Sequence, residues 1–141
     1  MRNMIYIDSN VFIYAALSPD SDEDAINSKN ILKAIFEGKI LASTSTLTWD
    51  EVVWAIKRFE DRETAIIEGK KFLTFPKLKI LNVGEKELRT AIDLMKKYRL
   101  DPRDSIHVAC CIENDIGEIV TNDSDFNNIV GVKRIPLNNV L

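Results

Sequence analysis

Short apolar runs alternate with longer amphipathic segments along the chain. The runs are rich in β-branched residues, which favours buried strands, whereas the segments between them carry apolar residues at helical spacing. The pattern predicts strands at Met4–Ile7, Ile40–Ala42, Leu78–Val83 and Glu118–Thr121, with a fifth candidate at Val132–Ile135. It predicts helices at Ser9–Leu17, Asp22–Glu37, Leu47–Phe59, Thr64–Phe72, Glu85–Tyr98 and Pro102–Asn114.

This alternation predicts an α/β protein, a three-layer α/β/α domain with a mostly parallel central sheet of four or five strands. A chain of 141 residues suits one compact domain, so we expect residues 1–141 to fold together. Ligands of such sheets bind beyond the carboxyl ends of the strands. The polar residues that directly follow each strand are therefore the first candidates for a functional site.

Acidic side chains occupy several of these positions. Asp8 directly follows the first strand, and Asp123 and Asp125 follow the fourth. Glu51 and Asp104 each lie in the first turn of a predicted helix, so we expect all five acids to converge on one edge of the sheet. Clustered carboxylates repel one another, and Mg²⁺ or Mn²⁺ with oxygen ligands relieves that repulsion. Such ions can activate a water and stabilise the leaving oxygen of a phosphodiester.

Each acid also has a purely structural interpretation. Asp8 is placed to cap the following helix, and Glu51 completes a capping-box sequence. The negative charge of Asp104 near a helix N-terminus interacts favourably with the helix dipole, while Asp123 and Asp125 are typical turn residues. One metal site explains all of these positions more economically than several independent caps at one edge of the sheet.

Four segments together resemble the acidic motifs of the PIN-domain family. They are Ile5–Val11, Thr48–Val52, Arg103–Ala109 and Thr121–Phe126, in the order in which the family has them. The resemblance spans positions 5 to 126, and none of the acidic positions departs from the family pattern. It is closest to the VapC-like toxin ribonucleases of prokaryotic toxin–antitoxin systems.

The resemblance implies an endoribonuclease that depends on Mg²⁺, with Mn²⁺ as the alternative ion. Asp8, Glu51, Asp104 and Asp123 are then the catalytic residues, and the same four with Asp125 hold the metal. The resemblance also implies an RNA substrate, a homodimer and an antitoxin partner that blocks the site. The alternative is a non-catalytic PIN-fold module that binds RNA or a partner protein, but such a module has no reason to keep crowded carboxylates.

Other polar residues are expected to support this cluster. Asn10 is placed to hydrogen-bond near Asp8 and hold its orientation, and Thr121 is assigned the same kind of supporting role. His107, the only histidine, lies three residues after Asp104 on the same helix face. It could be a metal ligand or a general base, but a hard cation does not need it, and we favour a packed supporting role.

Charge and cysteine content set further expectations. The net charge of −3 argues mildly against a nucleic-acid binder, although two bound divalent cations would turn −3 into +1. Arg99 and Arg103 flank the start of the helix that bears Asp104; they either grip RNA phosphates or merely complement a helix C-terminus. The adjacent Cys110 and Cys111 are not placed to form a structural disulfide, which predicts a reducing, cytoplasmic location. No membrane-spanning segment is expected.

Overall fold

A computed structural model describes residues 3–141 of the protein. Met1 and Arg2, which the single-domain prediction includes, lie outside the described residues. The central sheet has five strands in the order β3-β2-β1-β4-β5, and every pair of neighbours is parallel. The strands are β1 (Ile5–Ile7), β2 (Ala42–Ser45), β3 (Leu78–Leu81), β4 (Glu118–Val120) and β5 (Lys133–Ile135). The predicted three-layer fold with a parallel sheet is confirmed.

Helices cover both faces of this sheet. They are α1 (Ser9–Leu17), α2 (Glu23–Phe36), α3 (Thr46–Phe59), α4 (Arg62–Leu73), α5 (Glu85–Tyr98) and α6 (Pro102–Glu113). The first four pack in one apolar core, whereas α5 and α6 pack in a second core on the opposite face. Within the described part of the chain, no helix has the length and apolar character needed to cross a membrane.

The central strand β1 contributes to both cores. Its residues alternate between the faces, so Ile5 and Ile7 pack with α1 to α4, and Tyr6 packs with α5 and α6. All three are at most 1% exposed. Burial on both faces is typical of a parallel sheet and explains why β1 appears in the sequence as an uninterrupted apolar run.

The carboxyl ends of β1 and β4 form the crevice of the sheet. The chain runs outward from β1 through β2 to β3 and then returns to place β4 on the other side of β1. Such a reversal of strand order opens a crevice at the carboxyl ends of the two strands. Asp8, the residue after β1, donates its main-chain N–H to the carbonyl of Val120 over 3.1 Å. Asp8 therefore lies beside the end of β4.

The position of β2 differs from the prediction. The apolar pattern predicted Ile40–Ala42, but the strand is Ala42–Ser45, whereas the other boundaries lie within two residues of those predicted. The hydroxyls of Ser43 and Thr44 donate to main-chain carbonyls of β1 over 3.1 and 2.8 Å. These fully buried polar residues are satisfied inside the core, so hydrophobicity alone placed the strand too early.

Candidate active site

Three carboxylates meet at the carboxyl edge of the sheet and form what we call the acidic trio, Asp104, Asp123 and Asp125. One oxygen atom from each of them lies within 4.8 Å of the others. Asp104 lies in the first turn of α6, and the other two belong to the turn that follows β4. Carboxylate oxygens are the ligands that Mg²⁺ and Mn²⁺ prefer, so the chemistry of the acidic trio fits a hard divalent cation.

The turn after β4 is held by its own hydrogen bonds. Asp123 accepts from the main-chain N–H of Asp125 over 2.8 Å, and its own N–H donates to Oγ1 of Thr121 over 3.0 Å. The side chain of Asn122 donates to Asp24 of α2 over 2.8 Å and ties the turn to that helix. The turn interpretation is therefore correct for Asp123, and it is compatible with the trio because the same turn directs both of its acids to Asp104.

Asp8 is buried beside the trio, and both of its carboxylate oxygens accept hydrogen bonds. Its Oδ1 accepts from the N–H of Ser9 over 2.8 Å, so it does cap α1, and its Oδ2 accepts from the hydroxyl of Thr121 over 2.7 Å. Asn10 donates to the same hydroxyl oxygen over 3.4 Å and so reaches Asp8 only through Thr121. The Oδ1 atom of Asn10 is buried and has no hydrogen-bond partner among residues 3–141.

Glu51 does not act as a helix cap. Helix α3 begins at Thr46 with Ser45 at its N-cap, three residues before the first position of the predicted capping box. Glu51 therefore lies in the second turn of α3 and not, as predicted, in the first. The hydroxyl of that first residue, Thr48, lies 2.7 Å from the Thr44 hydroxyl. The Glu51 carboxylate instead lies 2.5 Å from Nε2 of His107, so the capping-box interpretation is wrong.

His107 connects the remaining carboxylates to the core. Its Nε2 atom lies 2.5 Å from the Glu51 carboxylate and 3.6 Å from Asp8, and its Nδ1 atom lies 2.6 Å from the hydroxyl of Tyr6. That hydroxyl also lies 2.8 Å from Oγ of Ser45. Both ring nitrogens are engaged by protein atoms, and the side chain is 1% exposed, which favours a supporting role over metal ligation.

The pKa shifts record the crowding of these charges. Burial, together with the negative charges of Asp123 and Asp8, raises the pKa of Asp104 to about 6. Burial also raises the pKa of Asp8, and the charge of His107 opposes this only in part. Burial by itself would lower the pKa of His107, but the Glu51 hydrogen bond and the nearby carboxylates raise it overall. A bound cation would relieve this repulsion.

The two candidate RNA-binding arginines are exposed at the junction of α5 and α6. Arg99 ends α5 in the left-handed conformation, with φ of 56°, and its N–H donates to Met95 over 3.2 Å. Arg103 lies in the first turn of α6, next to Asp104. Neither guanidinium forms an ion pair or a hydrogen bond with the described part of the chain, so both are available to a ligand.

Sequence reasoning missed Tyr6 and Ser45, which anchor His107. The only signal for Tyr6 was a phenol in the middle of an otherwise apolar strand, since a buried tyrosine hydroxyl needs a hydrogen-bond partner. Ser45 gave no signal, because it lay outside the strand that the apolar pattern predicted. The contact between Asn122 and Asp24 was missed as well, since nothing local relates residues so far apart in the chain.

The fold is similar to several solved structures. A toxin–antitoxin complex from Klebsiella pneumoniae contains a chain with 22% identity and a TM-score of 0.66, over 91% of this chain and 94% of that one. A chain of VapBC2 from Rickettsia felis, bound to a promoter DNA fragment, has 17% identity and a TM-score of 0.72, and the match covers 95% of this chain and 98% of that one. Mycobacterium tuberculosis VapC20, described as a sarcin–ricin loop cleaving toxin, has 16% identity and a TM-score of 0.68, and the match covers 86% of this chain and 92% of that one.

These identities are low, so the likeness to solved structures shows the fold alone. No curated protein matches the sequence. The family model of the PIN domain matches residues 5–132, which include every acid of the candidate site. The chain therefore belongs to the PIN domain family.

Proposed function

We propose that this protein is a metal-dependent endoribonuclease and the toxin of a toxin–antitoxin pair. The observation that carries the proposal is the convergence of Asp104, Asp123 and Asp125, with Asp8 and Glu51 beside them, at the carboxyl edge of the sheet. Membership of the PIN domain family supports it. So does the fold shared with VapC20, which is described as cleaving the sarcin–ricin loop.

In this proposal Asp8, Glu51, Asp104 and Asp123 are the catalytic residues, and the same four with Asp125 bind Mg²⁺ or Mn²⁺. The cation, when bound, supplies Lewis-acid activation of a water and stabilises charge on the phosphodiester. Hydrogen bonds hold the carboxylates of Asp8, Glu51 and Asp123 in place before substrate arrives, which limits reorganisation during the reaction. Without a cation, the same carboxylates would repel the RNA phosphates.

A cleavage assay with the purified protein tests this proposal. We expect single-stranded RNA to be cut in millimolar Mg²⁺ or Mn²⁺ and left intact in EDTA, because the proposed mechanism needs the cation to lower the pKa of the attacking water and to offset the charge of the phosphodiester. Equal cleavage in EDTA would contradict the metal-dependent mechanism. Binding of RNA or of a partner protein, without cleavage under any metal condition, would favour the non-catalytic PIN-fold module instead.

The exposed arginines support RNA binding next to the carboxylates. We propose that Arg99 and Arg103 contact backbone phosphates near the bond that is cut. They carry positive charge at the junction of α5 and α6, in a protein whose net charge is −3. Phosphate contacts position a nucleic acid without reading its sequence, so these residues would set affinity and register rather than base preference.

Removing either arginine should weaken RNA binding more than it slows the chemical step. Arg99→Asn suits the left-handed backbone at that position, and Arg103→Ala removes the neighbouring charge. We expect each variant to raise KM with kcat little changed, and to lower the salt dependence of binding by about 0.7 in the log–log slope per lost contact. Lys33→Ala, in the last turn of α2, is the control and should change neither quantity. Unchanged KM and salt slope in both arginine variants would contradict this assignment.

Exposed apolar side chains support protein partners. Trp54 and Phe59 on α3 are 58% and 67% exposed, and Ile66 and Leu73 on α4 are 48% and 57% exposed. Apolar surface of this kind is typical of protein interfaces. We propose that the protein forms a homodimer and also binds an antitoxin that blocks the acidic site. The fold shared with chains from toxin–antitoxin complexes supports the second partner.

The cysteines support the proposed location. Cys110 and Cys111 are both buried and carry free thiols. Burial raises the pKa of both, to about 11 for Cys110, so neither is a reactive thiolate. Unpaired structural thiols are typical of a reducing compartment, and we propose that residues 1–141 act as one domain in the cytoplasm.

A further inference from the structure

A hydrogen-bonded chain runs from the core to the candidate site through Ser45, Tyr6, His107 and Glu51. From this geometry we infer that His107 is a positioning residue, whose Nε2–H holds the Glu51 carboxylate in place at the acidic site. The inference rests on the proposed metal-dependent nuclease and assigns a role to a residue which that proposal does not use.

The direction of the hydrogen bond follows from the chemistry of the two groups. An ionised carboxylate can only accept, so Nε2 carries the hydrogen in its contact with Glu51. A neutral ring then accepts from the Tyr6 hydroxyl at Nδ1, whereas a charged ring donates to the Tyr6 oxygen. The Tyr6 and Ser45 hydroxyls can exchange donor and acceptor roles, so the contact between His107 and Tyr6 has one donor and one acceptor in both cases. The bond that holds Glu51 is the same in both charge states of the ring.

Rigid elements hold the donor. His107 lies on α6 with 1% of its side chain exposed, and its ring packs edge-on against that of Tyr6 with 5.6 Å between centroids. Tyr6 lies on β1 and is fully buried, and Ser45 ends β2. The imidazole therefore cannot turn without breaking its contacts with Tyr6, whose hydroxyl is in turn hydrogen-bonded to Ser45 at the end of β2.

Glu51, by contrast, needs an external constraint. Its side chain lies in the second turn of α3, is 18% exposed and has several rotatable bonds. The described structure offers its carboxylate one hydrogen-bond donor, His107. Without that donor the carboxylate is free to turn into solvent, away from Asp8 and the acidic trio. A mobile carboxylate loses side-chain entropy when it joins a metal site, so the affinity for the cation should fall.

Two substitutions of His107 separate positioning from packing. In His107→Gln, the side-chain amide nitrogen is as many bonds from the backbone as Nε2, so it can still donate to Glu51. In His107→Asn, the amide is one bond shorter and falls short of Glu51, although the site remains polar. The pair is matched because both variants replace an imidazole with a primary amide in the same buried space.

The readout is Mn²⁺ affinity, measured by calorimetric titration of the purified protein without RNA. We expect His107→Asn to weaken Mn²⁺ binding by about tenfold or more, and His107→Gln to remain within about threefold of wild type. Thermal melts in EDTA establish that each variant is folded at the titration temperature. Equal affinity in the wild type and a folded His107→Asn variant would overturn the inference.

A double-mutant cycle with Glu51→Ala tests whether His107 acts through Glu51. If it does, His107→Asn should change Mn²⁺ affinity by less than about twofold once Glu51 is alanine. Equal loss in both backgrounds would show a general structural effect and overturn the inference. Tyr6→Phe keeps the ring at residue 107 and removes only its anchor, so it provides the same test should both His107 variants fail to fold.

We expect Tyr6→Phe to weaken Mn²⁺ binding by about threefold in the wild-type background and to have no further effect in Glu51→Ala. Equal effects of Tyr6→Phe in both backgrounds would overturn the inference as well. These outcomes are distinct from a failure of the proposed function. A wild-type protein that binds no Mn²⁺ contradicts the metal site itself, whereas a wild type that binds Mn²⁺ independently of His107 and Tyr6 contradicts only the positioning role.

Discussion

Replacing Asp104 or Asp8 with asparagine should reduce the rate of RNA cleavage in saturating Mg²⁺ by roughly 10²- to 10³-fold, the scale of loss when a group that stabilises the transition state is removed. Asp104 brings one oxygen to within 4.8 Å of oxygens from Asp123 and Asp125. Asparagine replaces this charged candidate metal ligand with a neutral one. Asp8 is 5% exposed and lies beside the same cluster. Single-turnover cleavage of a labelled RNA measures both losses.

Asp115→Asn is the matched control for this experiment. Asp115 is exposed just beyond the far end of α6, and its φ of 55° is one that asparagine adopts readily. The substitution removes one negative charge, as Asp104→Asn does, but about 16 Å along the helix from that residue. We expect its cleavage rate to match wild type. Cleavage by Asp104→Asn at the rate of Asp115→Asn would contradict the assignment of Asp104.

Metal-free Asp104→Asn should be at least as stable as wild type at pH 7.5, although it is the less active protein. The folded-state pKa of Asp104 is raised from 3.8 to about 6, so the folded protein holds this proton more tightly than the unfolded chain does. The resulting stabilisation is fully present below pH 3.8 and is lost as the pH rises through about 6. Above that pH the charge is a penalty on the order of 1 kcal/mol, after allowance for solvent screening of this half-buried group.

Metal should reverse the order of stability. A cation that binds only the folded protein stabilises wild type by about 2.7 kcal/mol at a hundred times its dissociation constant, and Asp104→Asn should gain less. Thermal melts of both proteins at pH 5 and 7.5, in EDTA and in Mg²⁺, measure these differences. If Asp104 only interacts with the helix dipole, its replacement should instead lower the free energy of unfolding by about 0.3–1 kcal/mol in both buffers. The metal site would be contradicted if Asp104→Asn were less stable than wild type in both buffers and the melting temperature of wild type did not change with Mg²⁺.

Much of the fold could be predicted because the sheet is buried on both faces. The apolar run of β1 and the amphipathic pattern of α5 are visible in the local sequence. The predicted bounds of α5, Glu85–Tyr98, are those observed. Asp8 and Asp123 could be placed near one another because each follows a strand of a parallel sheet, and the carboxyl ends of such strands share an edge. The β2 strand was misplaced because its polar residues bond to main-chain atoms of β1 that no local pattern identifies.

The internal organisation of the site could not be predicted. Spacing placed His107 and Asp104 on one face of a helix, but it could not reveal that His107 contacts Glu51, 56 residues away. Nor could it show that Asn10 reaches Asp8 only through Thr121, since that link joins the ends of β1 and β4. These contacts depend on tertiary packing, and their partners are distant in sequence.

The location of a bound ion tests the central claim most directly. Crystals of the wild-type protein grown with Mn²⁺, measured for anomalous scattering, should show a peak in contact with carboxylate oxygens of at least two of Asp104, Asp123 and Asp125, the residues whose oxygens converge within 4.8 Å. An Mn²⁺ peak elsewhere, or none at these three residues in crystals that contain saturating Mn²⁺, would contradict the account.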